Sequence, residues 1–189
     1  MCRIFSIAIL LAASLVSVAQ AGSPKSVSMP ESMEGASAAA LTQLRALAGE
    51  WEGSFEWSGA RTATGKVNAT YSETGNGSAV VENLAMDGVP SMTSVYHLDG
   101  ADLRMTHYCA AQNQPRLRAR QIDITKGILD FEFVDATNLR SPDAPHVYGL
   151  EMRLLNADHI TLAFLFEGSG KRSRELIDLK RVGHRPSAQ

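Results

Sequence analysis

His107 and Cys109 stand two residues apart in the stretch from Leu103 to Arg116, Leu-Arg-Met-Thr-His-Tyr-Cys-Ala-Ala-Gln-Asn-Gln-Pro-Arg. Side chains at i and i+2 leave a β-strand on the same face, about 7 Å apart. An imidazole and a thiol so placed could give two ligands to zinc or another metal tolerant of soft donors, which usually takes three or four. His97, across the Asp99-Gly100 turn, and His146 could complete such a set. The alternation, however, puts His97 with Thr93 and Val95, opposite Tyr96 and Leu98. A Cys–His nucleophile pair is poorly served, with no acidic orienter specified and no helix N-terminus expected beside the thiol. The ordinary readings are a hydrogen-bonded histidine and a small buried hydrophobe. Just beyond, Asn113, Gln114 and Arg116 form a polar turn, so amides and a guanidinium lie close by.

The remaining chemistry-bearing patterns are weaker. The chain has no Gly-x-Ser-x-Gly, no His-Glu-x-x-His, no P-loop and no Gly-x-Gly-x-x-Gly. Asp130 and Glu132 share the face opposite Phe131 and read as solvated charge. Arg116, Arg118 and Arg120 share one strand face, which allows a modest anion site but reads first as a solvated face. With a formal net charge of −2, the chain lacks the basic balance of a nucleic-acid protein. Asn68-Ala69-Thr70 and Asn76-Gly77-Ser78 fit the glycosylation pattern, which has meaning only in a eukaryotic secretory route.

The elements that must position these residues follow from punctuation and period. Arg3, the apolar run Ile4 to Val18 and Ala19-Gln20-Ala21 make the pattern of a secretory signal peptide over 1–21, cleaved before Gly22. Its removal takes Arg3 away, so the charge moves from −2 to −3, and takes Cys2 away, so Cys109 has no intrachain disulfide partner. No later apolar run is long enough to span a membrane. Residues 22–36 read as a flexible leader. Ser37 is expected to cap a short helix over Ala38–Ala48, with Leu41, Leu44, Leu47 and Ala48 on one stripe.

From Gly49 onward the period is two. About ten short strands alternate with turn signals, among them Gly75-Asn76-Gly77, Asp87-Gly88, Asp99-Gly100, Lys126-Gly127, Asn156-Ala157-Asp158 and Gly168-Ser169-Gly170. Without helical crossovers the sheet is expected to be an antiparallel meander, and closure into a barrel removes its edges. Two connections are longer than a tight hairpin: Ala110–Arg116 and Asp135–His146, the latter a candidate binding loop. Arg118 and Arg120 alternate out of phase with Ile122 and Ile124, so a bulge is expected there.

Leu47-Ala48-Gly49-Glu50-Trp51-Glu52-Gly53 directly after a helix resembles the Gly-x-Trp opening of lipocalins and the wider calycin superfamily. The Trp-x-Gly extension is also similar to that of nitrobindin-like barrels. The resemblance implies an up-and-down barrel with an apolar cavity, Trp51 across the closed end and Arg181 covering it. His107-Tyr108-Cys109 followed by Asn113-Gln114-Pro115-Arg116 resembles uncharacterised exported bacterial proteins with a lipocalin-like domain, a likeness over most of the chain that brings no activity with it. The lipocalin Thr-Asp-Tyr signature is absent. Nitrobindin-like proteins hold haem iron through a histidine near the C-terminal strands, but Arg172–Val182 contains none, and neither His159 nor His184 gives a clear match.

The expectation is therefore an all-β, antiparallel up-and-down barrel of about ten strands over 37–183, lipocalin-like, with a short preceding helix and a tail over 184–189. In such a barrel Phe131, Phe133, Tyr148, Met152 and Phe164 would line a cavity for a small apolar or amphipathic molecule. His107, Cys109, Tyr96, Asn113, Gln114, Gln121 and Arg116 would orient it, with Arg116 meeting a carboxylate if the molecule carries one. No cofactor is specified. A haem-, metal-binding or enzymatic barrel using His107 and Cys109, and a solid-core structural or envelope-interaction domain, are the alternatives.

Overall fold

A computed structural model describes residues 31–182. The signal peptide expected over 1–21, the leader up to residue 30 and the 184–189 tail lie outside the described residues. Helix α1 (Glu31–Arg45) precedes strands β1 (Gly49–Gly59), β2 (Ala63–Thr74), β3 (Ala79–Met86), β4 (Val89–Asp99) and β5 (Asp102–Tyr108). Strands β6 (Gln114–Asp123), β7 (Ile128–Thr137), β8 (His146–Asn156), β9 (His159–Gly168) and β10 (Lys171–Val182) follow. Each strand pairs antiparallel with its neighbours in sequence, and β1 pairs with β10 to close the barrel. No described helix is long and apolar enough to cross a membrane.

The helix starts six residues before the expected cap. Met33 and Glu34 are good helix formers, and Gly35 costs only about 1 kcal/mol against alanine, so the pattern runs back through the end of the expected leader. Ser37 is accordingly not a cap but a helix-interior residue, buried with its hydroxyl unpartnered. Ala40, Leu41, Leu44 and Leu47 bury the expected stripe across the ends of β2 to β6. That end of the barrel is plugged.

The Gly-x-Trp-x-Gly run has a physical reason at each position. The Trp51 indole donates to Leu47 O at 2.9 Å. The Arg181 guanidinium lies 4.3 Å over the Trp51 ring and donates to Ala46 O and Ala48 O at 3.0 and 2.8 Å. Gly49, at φ 131°, leaves room for that guanidinium, 3.0 Å from where a Cβ would stand. At Gly53 a Cβ would stand 1.7 Å from the Asp178 carbonyl oxygen, so β10 can approach only a glycine. Gly53→Ala is expected to cost about 2–3 kcal/mol through forced separation of β1 and β10, as read from urea denaturation. A loss under about 0.5 kcal/mol, the range of neutral surface changes, would contradict this account.

Turn chemistry sets the hairpins. At Asp87-Gly88 both central residues have positive φ (49° and 81°), and Met86 pairs with Val89 across them, as a two-residue hairpin requires. On β6 the register shifts between Ala119 and Gln121, which supplies the expected bulge. Leu117 and Ala119 face in before it, and Ile122 and Ile124 pack on the core after it. On β8 the register shifts between Val147 and Gly149, so Val147, Leu150 and Met152 are the buried set.

The arginine face is matched by acids on the next strand. Arg116 forms a bidentate pair with Asp135 (2.5 and 2.5 Å) and Arg118 pairs with Glu132 at 2.8 Å. Asp130 bonds Arg153 and lies 3.9 Å from Arg120. Asp130 is buried rather than solvated, because these arginine side chains cover it. The anion site that the arginine spacing allowed is already filled by the protein's own carboxylates.

Candidate functional site

Two groups of polar side chains face the barrel interior. The first is a row across four adjacent strands. Tyr71 on β2 stands opposite Glu82 on β3, Glu82 opposite Ser94 on β4, and Ser94 opposite His107 on β5. Alternation along each strand turns these four inward at one level, with Tyr96 one step along β4. Tyr71 and Tyr96 donate to Glu82 Oε2 at 2.6 and 3.0 Å, and Ser94 donates to Oε1 at 3.0 Å. Three hydroxyl donors on two oxygens is the pattern that suits a carboxylate. Since the Ser94 proton goes to Glu82, its oxygen accepts from His107 Nδ1, 3.0 Å away. His107 is thereby the Nδ1–H tautomer, with Nε2 a bare acceptor that has no partner among the described residues. Its ring packs on Phe164, 4.8 Å between centroids.

Burial governs the charges in this row. Glu82 and His107 are both 0 % exposed. Loss of hydration raises the Glu82 pKa, against the opposing pull of its three hydroxyl donors. The same cause lowers the His107 pKa to about 3, so the imidazole is neutral at ordinary pH. Tyr71 and Tyr96 are pushed well up, first by burial and then by the neighbouring carboxylate.

The second group lines a cavity of about 460 Å³ at the end away from α1. Its apolar wall includes Phe55, Trp57, Met86, Met92, Pro145 and Phe166. Cys109 and Glu175 line it too. Glu175 stands between Trp57 on β1 and Phe164 on β9 in the strand register. It is 2 % exposed, and its Oε2 makes no hydrogen bond with any described residue. Burial raises its pKa to about 7, opposed by the Arg61 guanidinium and the Trp57 indole. Arg61 lies 4.1 Å over the Trp57 ring at the mouth. Burial also raises the Cys109 thiol pKa, leaving it protonated and unactivated.

The two long connections meet at this mouth. Cys109 N donates to Asn113 O at 3.1 Å, with Gln112 at φ 64°, which makes the turn. Asn113 Nδ2 donates to Pro145 O at 2.9 Å, and Asn138 Nδ2 donates to Gln112 O at 2.6 Å. The connection expected over Asp135–His146 is in the structure the shorter segment 138–145 between β7 and β8; it is tied to the turn after β5, and its Pro145 borders the cavity.

The sequence-derived site residues divide accordingly. Tyr96, His107, Phe131, Met152 and Phe164 are in the packed interior, Cys109 is in the cavity wall, and Asn113 braces the mouth. The others do not join them. Gln114 and Arg116 belong to β6 rather than to a turn, and both point outward, Gln114 accepting from the Thr137 hydroxyl at 3.0 Å. The β6 bulge exposes Gln121. Phe133 stacks on His146 at 5.0 Å, and the β8 irregularity puts Tyr148 under Arg172, again at 5.0 Å. Neither borders the cavity. His97 pairs with Arg104 away from the buried positions of β4. Among the described residues no group of three His, Cys, Asp or Glu side chains is placed to hold a metal.

Sequence reasoning missed Glu82, Ser94, Tyr71 and Glu175 as site residues. A readable signal existed: Glu82 alternates with Val80 and Leu84, and Glu175 with Ile177 and Leu179. A carboxylate on an apolar strand face is buried or sits at a cavity.

No protein-family model matches the chain, and no curated protein matches it. Solved structures do. Rv2717c from M. tuberculosis is 16 % identical with a TM-score of 0.57, over 76 % of this chain and 98 % of that one. A protein of unknown function from the DUF3598 family of Nostoc punctiforme is 15 % identical with a TM-score of 0.53, over 74 % of this chain. This chain spans about half of that protein's length, 49 %. At these identities the likeness is one of fold: this chain is a closed ten-strand antiparallel barrel of the kind those proteins share.

Proposed function

We propose that this chain is an exported, lipocalin-like barrel that holds a small, largely apolar molecule in the cavity at its open end. The observation that carries the reading is the cavity of about 460 Å³ walled by aromatic, methionine and proline side chains. Small-molecule sites typically run about 300–1,000 Å³ and combine such walls with a few placed polar groups. The helix plugs one end and the polar row packs the middle, which leaves the cavity at the mouth as the place for a ligand. Export rests on the pattern over 1–21.

Native mass spectrometry of the purified protein is the direct test. The expected result is a co-purifying apolar molecule, or saturable binding of an added one with a change in tryptophan emission that Trp57→Phe removes. Trp57 lines the cavity while Trp51 lies at the plugged end, so the two tryptophans separate site from scaffold. Absence of both signals would overturn the reading in favour of a structural domain. A Soret band or stoichiometric zinc, lost in His107 or Cys109 variants, would favour the haem- or metal-binding alternative instead.

A further inference from the structure

We propose that Glu175 selects the ligand of this cavity, favouring an apolar molecule that ends in a hydroxyl over one that ends in a carboxylate. The inference rests on the cavity reading above and names the chemical class it takes. Glu175 is the cavity-wall carboxyl with an oxygen left unsatisfied: Oε2 is buried and bonds no described residue. A buried polar atom without a partner costs about 1–3 kcal/mol, and a hydroxyl-bearing ligand would supply the missing donor.

The charged and titratable groups around Glu175 decide which donor. Arg61 comes from the β1–β2 connection, Glu167 from β9, Lys171 from the start of β10, and the Cys109 thiol from the end of β5. Glu167 is already engaged by Arg172 at 3.2 Å. Arg61 partly offsets the Glu175 charge, so a second cation is not required, and a neutral donor fits better than an ammonium. A ligand carboxylate would place two carboxyl groups in one apolar space, where one must take up a proton.

Decan-1-ol, decanoate and decylamine carry the same chain with three different ends. Titrated against the protein at pH 8, with tryptophan emission as readout, decanol is expected to bind at least about tenfold tighter than decanoate, the scale of one unpaired buried polar group. At pH 6 the gap should narrow as Glu175 gains a proton. Glu175→Gln should bring it to within about twofold while decanol still binds, since the amide can meet either end. Equal affinities at pH 8, or a gap unchanged in Glu175→Gln, would overturn the selectivity and leave the cavity reading standing. Decylamine binding tightest would overturn it in favour of cation recognition. Failure of all three to bind would overturn the cavity reading itself. Should Glu175→Gln not fold, the comparison of pH 8 with pH 6 on the unaltered protein still decides.

Discussion

Glu82→Leu is expected to destabilise the protein by about 3–5 kcal/mol, more than any surface change and near the limit for a single substitution. The hydroxyls of Tyr71, Tyr96 and Ser94 all donate to this one carboxylate, and all four side chains are buried. Leucine preserves the bulk and removes both acceptors at once, so three buried donors lose their partner. Each carries a penalty of about 1–3 kcal/mol when left alone, reduced where the hydroxyls can turn toward one another. Glu82→Gln should fall between, since one amide oxygen can still accept while the NH2 end confronts a donor. Double-mutant cycles with Tyr71→Phe and Tyr96→Phe should give coupling near 1 kcal/mol or more for each pair. A loss below about 1 kcal/mol for Glu82→Leu in urea denaturation would mean that the row contributes little and is not dry.

The second large effect is acid destabilisation centred on His107. Its folded pKa is about 3 against the ordinary 6.5. Between those values the unfolded chain binds a proton and the folded one does not. Stability therefore falls as pH drops from 6.5 toward 3, by about 4–5 kcal/mol in all at 1.36 kcal/mol per pKa unit. Glu175 acts with the opposite sign. Its folded pKa is about 7 against an ordinary 4.5, so its contribution is complete below pH 4.5 and is lost as pH rises through 7, about 3 kcal/mol in total. The two slopes oppose each other from pH 4.5 to 6.5, where the contributions of these two groups nearly cancel. Below 4.5 the Glu175 contribution is complete and the His107 loss continues.

Urea denaturation at several pH values separates them. His107→Asn should lose the acid-side slope relative to the unaltered protein, and Glu175→Gln the decline toward neutrality. Other carboxylates also titrate in acid, Asp123 with a pKa lowered to about 2 among them, so the change in slope on substitution is the quantity to compare. A His107→Asn variant whose slope below pH 6.5 matches the original would show that the imidazole is hydrated and protonates normally.

Alternation and punctuation made the architecture readable. Val80, Leu84, Met92, Leu103, Met105, Leu129 and Ile160 recur at period two between turn-forming pairs, and all are buried on the inner face. The closure of a ten-strand meander follows from its unpaired edges. Gly49, Trp51, Gly53 and Arg181 were legible as a unit only through the family resemblance of the Gly-x-Trp-x-Gly run; the structure adds the steric and hydrogen-bonding reason for each. Two bulges were the limit of that reading. One irregularity reverses every later side chain on its strand; on β6 the phase conflict betrayed it, whereas on β8 nothing marked it, and Tyr148 changed places with Val147.

What only the tertiary structure decided is which inward side chains meet. Tyr71, Glu82, Ser94 and His107 are far apart in sequence and become one hydrogen-bonded row through the register of three strand pairings, each set by its own turn. The local cluster of His107, Cys109, Asn113, Gln114 and Arg116 was divided in the same way. The pleat sends alternate residues to opposite faces, and Asp135 on β7 holds Arg116 outside. The sequence by itself determined a barrel with an inside and placed His107 and Cys109 within it. Where that inside is packed and where it is hollow depended on α1 plugging one end and on Glu175 meeting Trp57 across the closing pair of strands, β1 and β10.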